Sequence, residues 1–234
     1  MYILITGANR GIGLELVRQC VARGDRVGAG VRSGSDTREL QKIVLKHPDH
    51  VGVLHLPVDQ QALVQEAALH AAQTLDALDV LVNNAGINPE TPAEDTFGAL
   101  QEASVLHVLH VNAVAPLIVA QAFMPLLKKS PRPRIINITS EMGSLADKTY
   151  GGSYAYCMSK AALNMATRGM AADLRKDDIP VVALDPGWVR TDMGGPSASL
   201  SPAESVRGIL RVIDTLTLKD TGRYLDYTGR DHRW

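Results

Sequence analysis

The chain has 234 residues, 45% of them hydrophobic and 21% charged, with a formal net charge of −1. That composition excludes a disordered chain and is enough to bury a sizeable core. The length suits one α/β domain spanning 1–234 better than two small ones. Near-neutrality gives no global field toward nucleic acid, and the one locally basic stretch, "KKSPRPR" at 128–134, reads as a solvated loop before a strand. Cys20 and Cys157 stand in no metal-like spacing, so neither a disulfide framework nor a metal centre is expected, and a reducing compartment fits. No apolar run in the sequence approaches the ~18 residues of a membrane span. The opening "MYILITG" lacks the basic region of a signal peptide, so the expected location is the cytoplasm, away from membranes.

In chain order, "YILIT" (2–6) predicts a first strand, and "TGANRGIG" (6–13) a glycine-rich turn into a helix over 12–23. A strand over 26–31 and a helix over 36–46 follow, then a strand over 51–58, a helix over 60–75 and a strand over 80–84. An irregular stretch at 86–98 leads into a long helix over 99–127. The second half predicts strands over 134–140, 181–186 and 224–227, helices over 154–176 and 202–216, and a second irregular stretch at 187–201. Strands alternating with helices read as βαβ units around a parallel sheet covered on both faces. Such strands are apolar nearly throughout because both faces are buried, as in "VLV" and "RIINI". Both irregular stretches follow the carboxyl end of a strand, where open α/β sheets bind ligands.

The glycine turn poses a choice. It is either a structural turn or a phosphate cradle, in which absent side chains let a pyrophosphate approach the backbone and the helix N-terminus offers free N–H groups. Its spacing is G-x-x-x-G-x-G, and no Gly-Lys-Ser/Thr follows, which excludes a P-loop. Tyr156 and Lys160 stand four apart on a predicted helix and share a face. They form either an ordinary surface pair or a phenol whose pKa an ammonium lowers toward the working pH. Tyr154 lies six residues from Lys160, on another face.

Taken together, "TGANRGIG" (6–13), "NNAG" (83–86), "HVNAVAP" (110–116), "INITS" (136–140 region), "YAYCMSK" (154–160) and "DPGWVRTDM" (185–193) resemble the short-chain dehydrogenases/reductases in the family's order. The stretch 151–174 and the end "GRYLDYTGRDHRW" look most like the carbonyl-reductase and C-factor-like branch. The resemblance implies a doubly wound, three-layer α/β/α Rossmann fold with about seven parallel strands in the order 3-2-1-4-5-6-7. It implies a catalytic set of Ser140, Tyr156 and Lys160 with an assisting Asn112. Ser140 would hold a substrate carbonyl oxygen, Tyr156 would act as general acid, and Lys160 would anchor the nicotinamide ribose. The Asn112 backbone carbonyl, at a local helix break, would help hold a water serving Lys160. Blander readings stay open for each: a turn cap for Ser140, with Thr139 as neighbour pointing the other way, and a backbone-satisfied buried Asn112. The segment between Ser140 and Tyr156 is longer than in many relatives, which should reshape the pocket.

By the same resemblance, cofactor contacts fall on Gly7, Asn9, Arg10, Gly11, Ile12 and Gly13, on Asp59 near the adenine, and on Asn84, Ala85 and Gly86. Pro186, Gly187, Val189 and Thr191 match the nicotinamide end. NAD binders of this fold usually carry an acid at the end of strand two. Here Val31 or Arg32 occupies that zone and the first acid, Asp36, comes later. Arg32 and Arg10 therefore point to NADP(H) over NAD(H), a 2′-phosphate favouring guanidinium; both are otherwise plain exposed arginines. Met142, Leu145, Tyr150, Trp188 and Met193, placed by their neighbourhood in the sequence, are candidate walls of an apolar pocket for a small carbonyl or alcohol substrate, and core packing explains each equally well. The expected function is reduction of a ketone or aldehyde by hydride transfer. The alternative is a nucleotide-binding sensor or signalling module with little or no turnover. The resemblance also implies a homodimer or homotetramer paired through the helices at 99–127 and 154–176.

Overall fold

A computed structural model of the chain describes residues 1–89 and 95–234. Seven strands form one sheet: β1 (Tyr2–Thr6), β2 (Arg26–Val31), β3 (Val51–His55), β4 (Val80–Asn83), β5 (Arg134–Ile138), β6 (Val181–Asp185) and β7 (Tyr224–Asp226). All pairings are parallel and the order is β3-β2-β1-β4-β5-β6-β7, as expected. The topological switch lies between β1 and β4, which emerge side by side with Ile3 opposite Val80 and Ile5 opposite Val82. A crevice opens above their carboxyl ends.

The sheet separates two apolar layers, and period-two alternation sorts the strand residues between them. Ile3, Ile5, Val80, Val82, Ile136, Ile138, Val182 and Leu184 pack toward α1 (Gly11–Ala22), α2 (Arg38–Lys46) and α7 (Pro202–Thr215). Leu4, Leu81, Ile135 and Val181 pack toward α3 (Gln61–Thr74), α5 (Ala115–Leu127) and α6 (Tyr154–Leu174). The seventh helix, α4 (Glu102–Leu109), lies against α6.

The predicted helix over 99–127 is a continuous rod from Glu102 to Leu127 that widens into a π-helical turn at His110–Val114. Pro116 supplies the physical reason. It has no N–H, so the Asn112 carbonyl loses the partner a regular α-helix would give it. By length and composition this rod would also suffice to cross a membrane, contrary to the sequence reading. Its inner face, with Val108, Val119, Phe123 and Leu127, is buried in the domain core.

Strand β3 stops at His55, earlier than expected, just before Pro57. The stretch 187–201 is ordered: Val189 and Leu200 form a parallel bridge, Arg190 N–H donates to Leu200 at 2.8 Å and Leu200 N–H to Trp188 at 3.0 Å. Residues 90–94, inside the predicted loop at 86–98, lie outside the described residues.

Candidate active site

A cleft of about 1400 Å³ runs along the carboxyl edge of the sheet. At one end the glycine turn delivers the chain into α1. Gly7 has φ of +66°, and a Cβ there would stand 3.0 Å from the Ala85 backbone. At Gly13 a Cβ would fall 2.2 Å from the Gly7 carbonyl, so only glycine fits. The first turn of α1 has no side-chain cap and no acidic residue. Its free N–H groups line the cleft with no side-chain cap among the described residues, which suits an anionic group such as a pyrophosphate. Thr6 and Asn84 brace the turn from below. The Thr6 hydroxyl accepts from the amides of Asn84 (3.0 Å) and Ala85 (2.9 Å), and Asn84 Nδ2 donates to the Thr6 carbonyl at 2.8 Å. Asn83 ties β4 to β5 through a 2.8 Å bond to Asn137.

Around the outer end of the cleft lie Asn9, Arg10, Ile12, Arg32, Asp36, Arg38 and Asp59. Arg32 is exposed and has no ion pair among the described residues. Arg10 instead reaches across to Asp192 at 3.0 Å, linking the glycine turn to the 187–201 segment. Both of its side chains are largely solvated, so the link is weak and open to exchange. Asp36, the nearest acid after β2, is gripped by Arg38 at 2.6 Å and held at a pKa of about 2 by that hydrogen bond. Neither Arg38 nor Asp192 has a local signature in the sequence.

The other end of the cleft holds Ser140, Tyr156 and Lys160. Tyr156 and Lys160 sit one turn apart at the start of α6, whose N-terminus borrows its cap from afar: Asp95 Oδ1 accepts from the Ala155 amide at 2.8 Å. Ser140 stands at the end of β5, half-buried, its hydroxyl accepting from the Met142 amide at 3.2 Å. The cap reading of Ser140 therefore holds, and the same hydroxyl lies beside the Tyr156 phenol. Thr139 points the other way, donating to Asn164 at 2.8 Å. Tyr154 packs its ring near Phe97 instead of entering the cleft.

The Asn112 side chain is fully engaged. Its Oδ1 accepts from the Ile87 amide (2.8 Å), and its Nδ2 donates to the Ile87 carbonyl (2.8 Å) and to Ser159 (2.9 Å). Ser159 in turn donates to the Tyr156 carbonyl at 2.7 Å. The π turn is thus stitched both to the loop after β4 and to the helix that bears the phenol.

The electrostatics correct one expectation. The Lys160 ammonium does not lower the Tyr156 pKa: burial pushes the phenol up to about 12, the Ser140 hydroxyl only partly opposing it. Burial also pulls Lys160 down to about 8, the Asp185 charge opposing that fall. Lys160 Nζ lies 5.5 Å from the centre of the Tyr156 ring and donates to the Ile138 carbonyl at 2.9 Å. Both charged forms are disfavoured because Lys160 is buried and the half-buried Tyr156 is largely desolvated. The result is a phenol that keeps its proton at neutral pH.

Met142, Trp188 and Met193 line the cleft together with Pro186, Gly187, Val189 and Thr191. Two of the predicted wall residues do not. Leu145 is 80% exposed and Tyr150 50% exposed, and both fall outside the lining. The segment after Ser140 turns away through a 3-10 turn at Glu141–Gly143, and Tyr150 is held beside Lys148, 3.6 Å over its ring.

The sheet order and the crevice at its switch point define a doubly wound α/β protein of the Rossmann class. The chain belongs to the short chain dehydrogenase family, whose model matches residues 1–200. The C-signal of Myxococcus xanthus is 48% identical over 157 residues, covering 67% of this chain and 93% of that protein. Among solved structures, the NADPH-bound carbonyl reductase from chicken fatty liver superposes with a TM-score of 0.93 at 38% identity, covering 100% of this chain and 98% of that one. The carbonyl reductase Sniffer of D. melanogaster gives 0.93 at 35% identity, covering 100% and 99%.

Proposed function

We propose that the protein reduces a ketone or aldehyde to an alcohol with NADP(H) as the hydride source. One observation carries the reading: Ser140, Tyr156 and Lys160 converge at one end of a cleft whose other end is an uncapped helix N-terminus behind a glycine turn. When bound, the nicotinamide supplies the hydride. The Ser140 hydroxyl orients the substrate carbonyl oxygen. Tyr156, protonated at neutral pH, donates its proton to that oxygen as negative charge develops there. Lys160 holds the ribose and places a positive charge beneath the site. Asn112 keeps the π turn, the loop after β4 and α6 in register, and its backbone carbonyl helps hold the water that replenishes the proton. A phenol that burial keeps protonated at neutral pH is in the form a proton donor needs. Met142, Trp188 and Met193 offer the substrate an apolar wall.

Assay of NADPH oxidation with a panel of aldehydes and ketones, 4-nitrobenzaldehyde among them, tests the reading. No turnover on any member would reject it in favour of a nucleotide-binding signalling module, the reading favoured by the likeness to a protein named C-signal. Against that alternative, a pure binder needs the glycine turn but no proton donor.

Arg32 and Arg10 are assigned to the 2′-phosphate of NADP(H), Arg10 exchanging Asp192 for it. Replacing both with Ala should weaken NADPH binding roughly tenfold or more, at ~1.5–3 kcal/mol for each charge-assisted bond, while NADH binding changes little. Calorimetric titration checks this, and tighter binding of NADH than NADPH by the parent would reverse the assignment. The outward apolar side chains Leu106, Val114, Leu117, Met158 and Met165 on the α4–α5 rod and α6 suit pairing with a second copy, as a homodimer or homotetramer.

A further inference from the structure

We infer that Asp185 and His232 form a pair behind the active site through which the chain's last residues position Ser140, Tyr156 and Lys160, with His232 acting as a positioning residue through Asp185. The inference rests on the catalytic reading above.

Asp185 ends β6, is buried, and lines the cleft. Both of its oxygens are committed. Oδ1 accepts from the Gly187 amide at 3.1 Å, which fixes the Pro186–Gly187 turn at the proposed nicotinamide end. Oδ2 is bonded to His232 Nε2 at 3.0 Å. His232 is itself built into the sheet edge. Its ring stacks on Tyr224 at 4.7 Å and 27°, and its amide donates to the Tyr224 carbonyl at 2.8 Å. Asp231 beside it is held by Arg223 at 2.8 Å.

The same segment reaches two more walls of the site. The Tyr224 hydroxyl donates to the Ser140 carbonyl at 2.5 Å. The Trp234 carbonyl accepts from the Ala146 amide at 2.9 Å, and Arg233 pairs with Asp147. Trp234 is sandwiched between Tyr224, at 5.3 Å, and Arg168 of α6, at 5.4 Å. Ser140, the turn after β6 and the segment 144–147 are therefore joined through residues 231–234, far from them in sequence.

The pair also sets charge. The Asp185 carboxylate raises the pKa of both Tyr156 and Lys160, favouring neutral phenol and ammonium. The groups facing His232 are Asp185 on β6, Asp226 and the Tyr224 hydroxyl on β7, and Glu141 after β5. Farther out stand Asp147 with Arg233, and Arg168 on α6. The Asp185 hydrogen bond leads in raising the His232 pKa, desolvation opposing it, with Asp226 and Glu141 adding smaller contributions. A protonated His232 neutralises Asp185; once it loses its proton, the full carboxylate charge acts on Tyr156 and Lys160. The stabilisation from the pair is complete below pH 6.5, the ordinary histidine value, and is lost as pH rises through the raised one.

The test compares the parent with Asp185→Asn, His232→Gln and His232→Phe, the last keeping the stack on Tyr224 without ring nitrogens. The pH profile of kcat/KM for NADPH with 4-nitrobenzaldehyde should show in the parent an inflection above pH 6.5 that both His232 variants lack. In Asp185→Asn the alkaline limb should move to lower pH by on the order of one unit. By NMR, Asp185→Asn should return the His232 ring pKa toward 6.5, a readout that needs no turnover. A parent that turns over while all three variants keep its pH profile overturns the inference, as does a His232 ring pKa indifferent to Asp185→Asn. Should the parent not turn over at all, the catalytic reading fails separately. The pH dependence of NADPH affinity then decides the pair: a shift in Asp185→Asn supports it, and identical curves overturn it.

Discussion

Replacing Tyr156 with Phe is expected to lower the chemical step by the ~10²–10⁴-fold typical of losing a general acid, with NADPH affinity close to that of the parent. The ring keeps its volume against its buried neighbours, so folding is spared. What disappears is the O–H that burial keeps protonated, with its pKa pushed up to about 12. Tyr154→Phe is the control: that residue sits near Phe97 and outside the cleft, and its variant should turn over at the parental rate. Single-turnover NADPH oxidation separates the chemical step from binding. A Tyr156→Phe protein as fast as its parent, beside a crippled Tyr154→Phe, would move the donor role to Tyr154.

The sheet was legible because its signal is local. Strands such as "RIINI" are apolar on both faces only when both are covered, and β5 is buried along its whole length. The glycine turn was legible for the same reason: a strand, three glycines and a helix start are adjacent in the chain. The pairing of Tyr156 with Lys160 needed only helical spacing. Its chemistry did not follow from spacing, because a pKa depends on how much water the fold removes. Two groups one turn apart were expected to favour each other's charge, whereas burial disfavours both charges.

What stayed hidden is what the tertiary fold alone brings together. Asp95 caps α6 by accepting from the Ala155 amide, 60 residues away in the chain. Asp185 and His232 meet across 47 residues, and Tyr224 reaches Ser140 across 84. Leu145 and Tyr150 were placed in the pocket by closeness in sequence to Ser140, but the 3-10 turn at Glu141–Gly143 carries the chain away from it. The π turn did leave a trace in "HVNAVAP", where Pro116 stands four residues after Asn112 and withdraws one helical donor.

Lys160→Met is expected to remove most activity and, at neutral pH, to leave the protein as stable as its parent or more so. Lys160 is 4% exposed, and its ammonium faces the Ile138 carbonyl at 2.9 Å. Its pKa falls from the ordinary 10.5 to about 8 because the charge is desolvated. At ~1.4 kcal/mol per pH unit, holding that charge inside the fold costs roughly 3 kcal/mol at pH 7. Methionine has similar length and no charge to bury. Against this gain stands the orphaned Ile138 carbonyl, at ~1–3 kcal/mol, so the net change at pH 7 lies between about zero and 2 kcal/mol in favour of the variant. The pH dependence is the sharper test. Between the folded value near 8 and the unfolded value of 10.5 the unfolded parent binds more protons, so this contribution makes the parent more stable as pH rises through that window. The variant lacks that contribution, and its advantage should shrink by roughly 3 kcal/mol between pH 7 and pH 10.5. Urea denaturation of both proteins at matched pH measures it. Over the same series NADPH affinity and turnover should both fall in the variant, by roughly tenfold or more for a lost charge-assisted bond to the ribose. A stability difference that stays constant with pH would mean that Lys160 keeps its ordinary pKa in the folded protein, so that burial does not disfavour its charge.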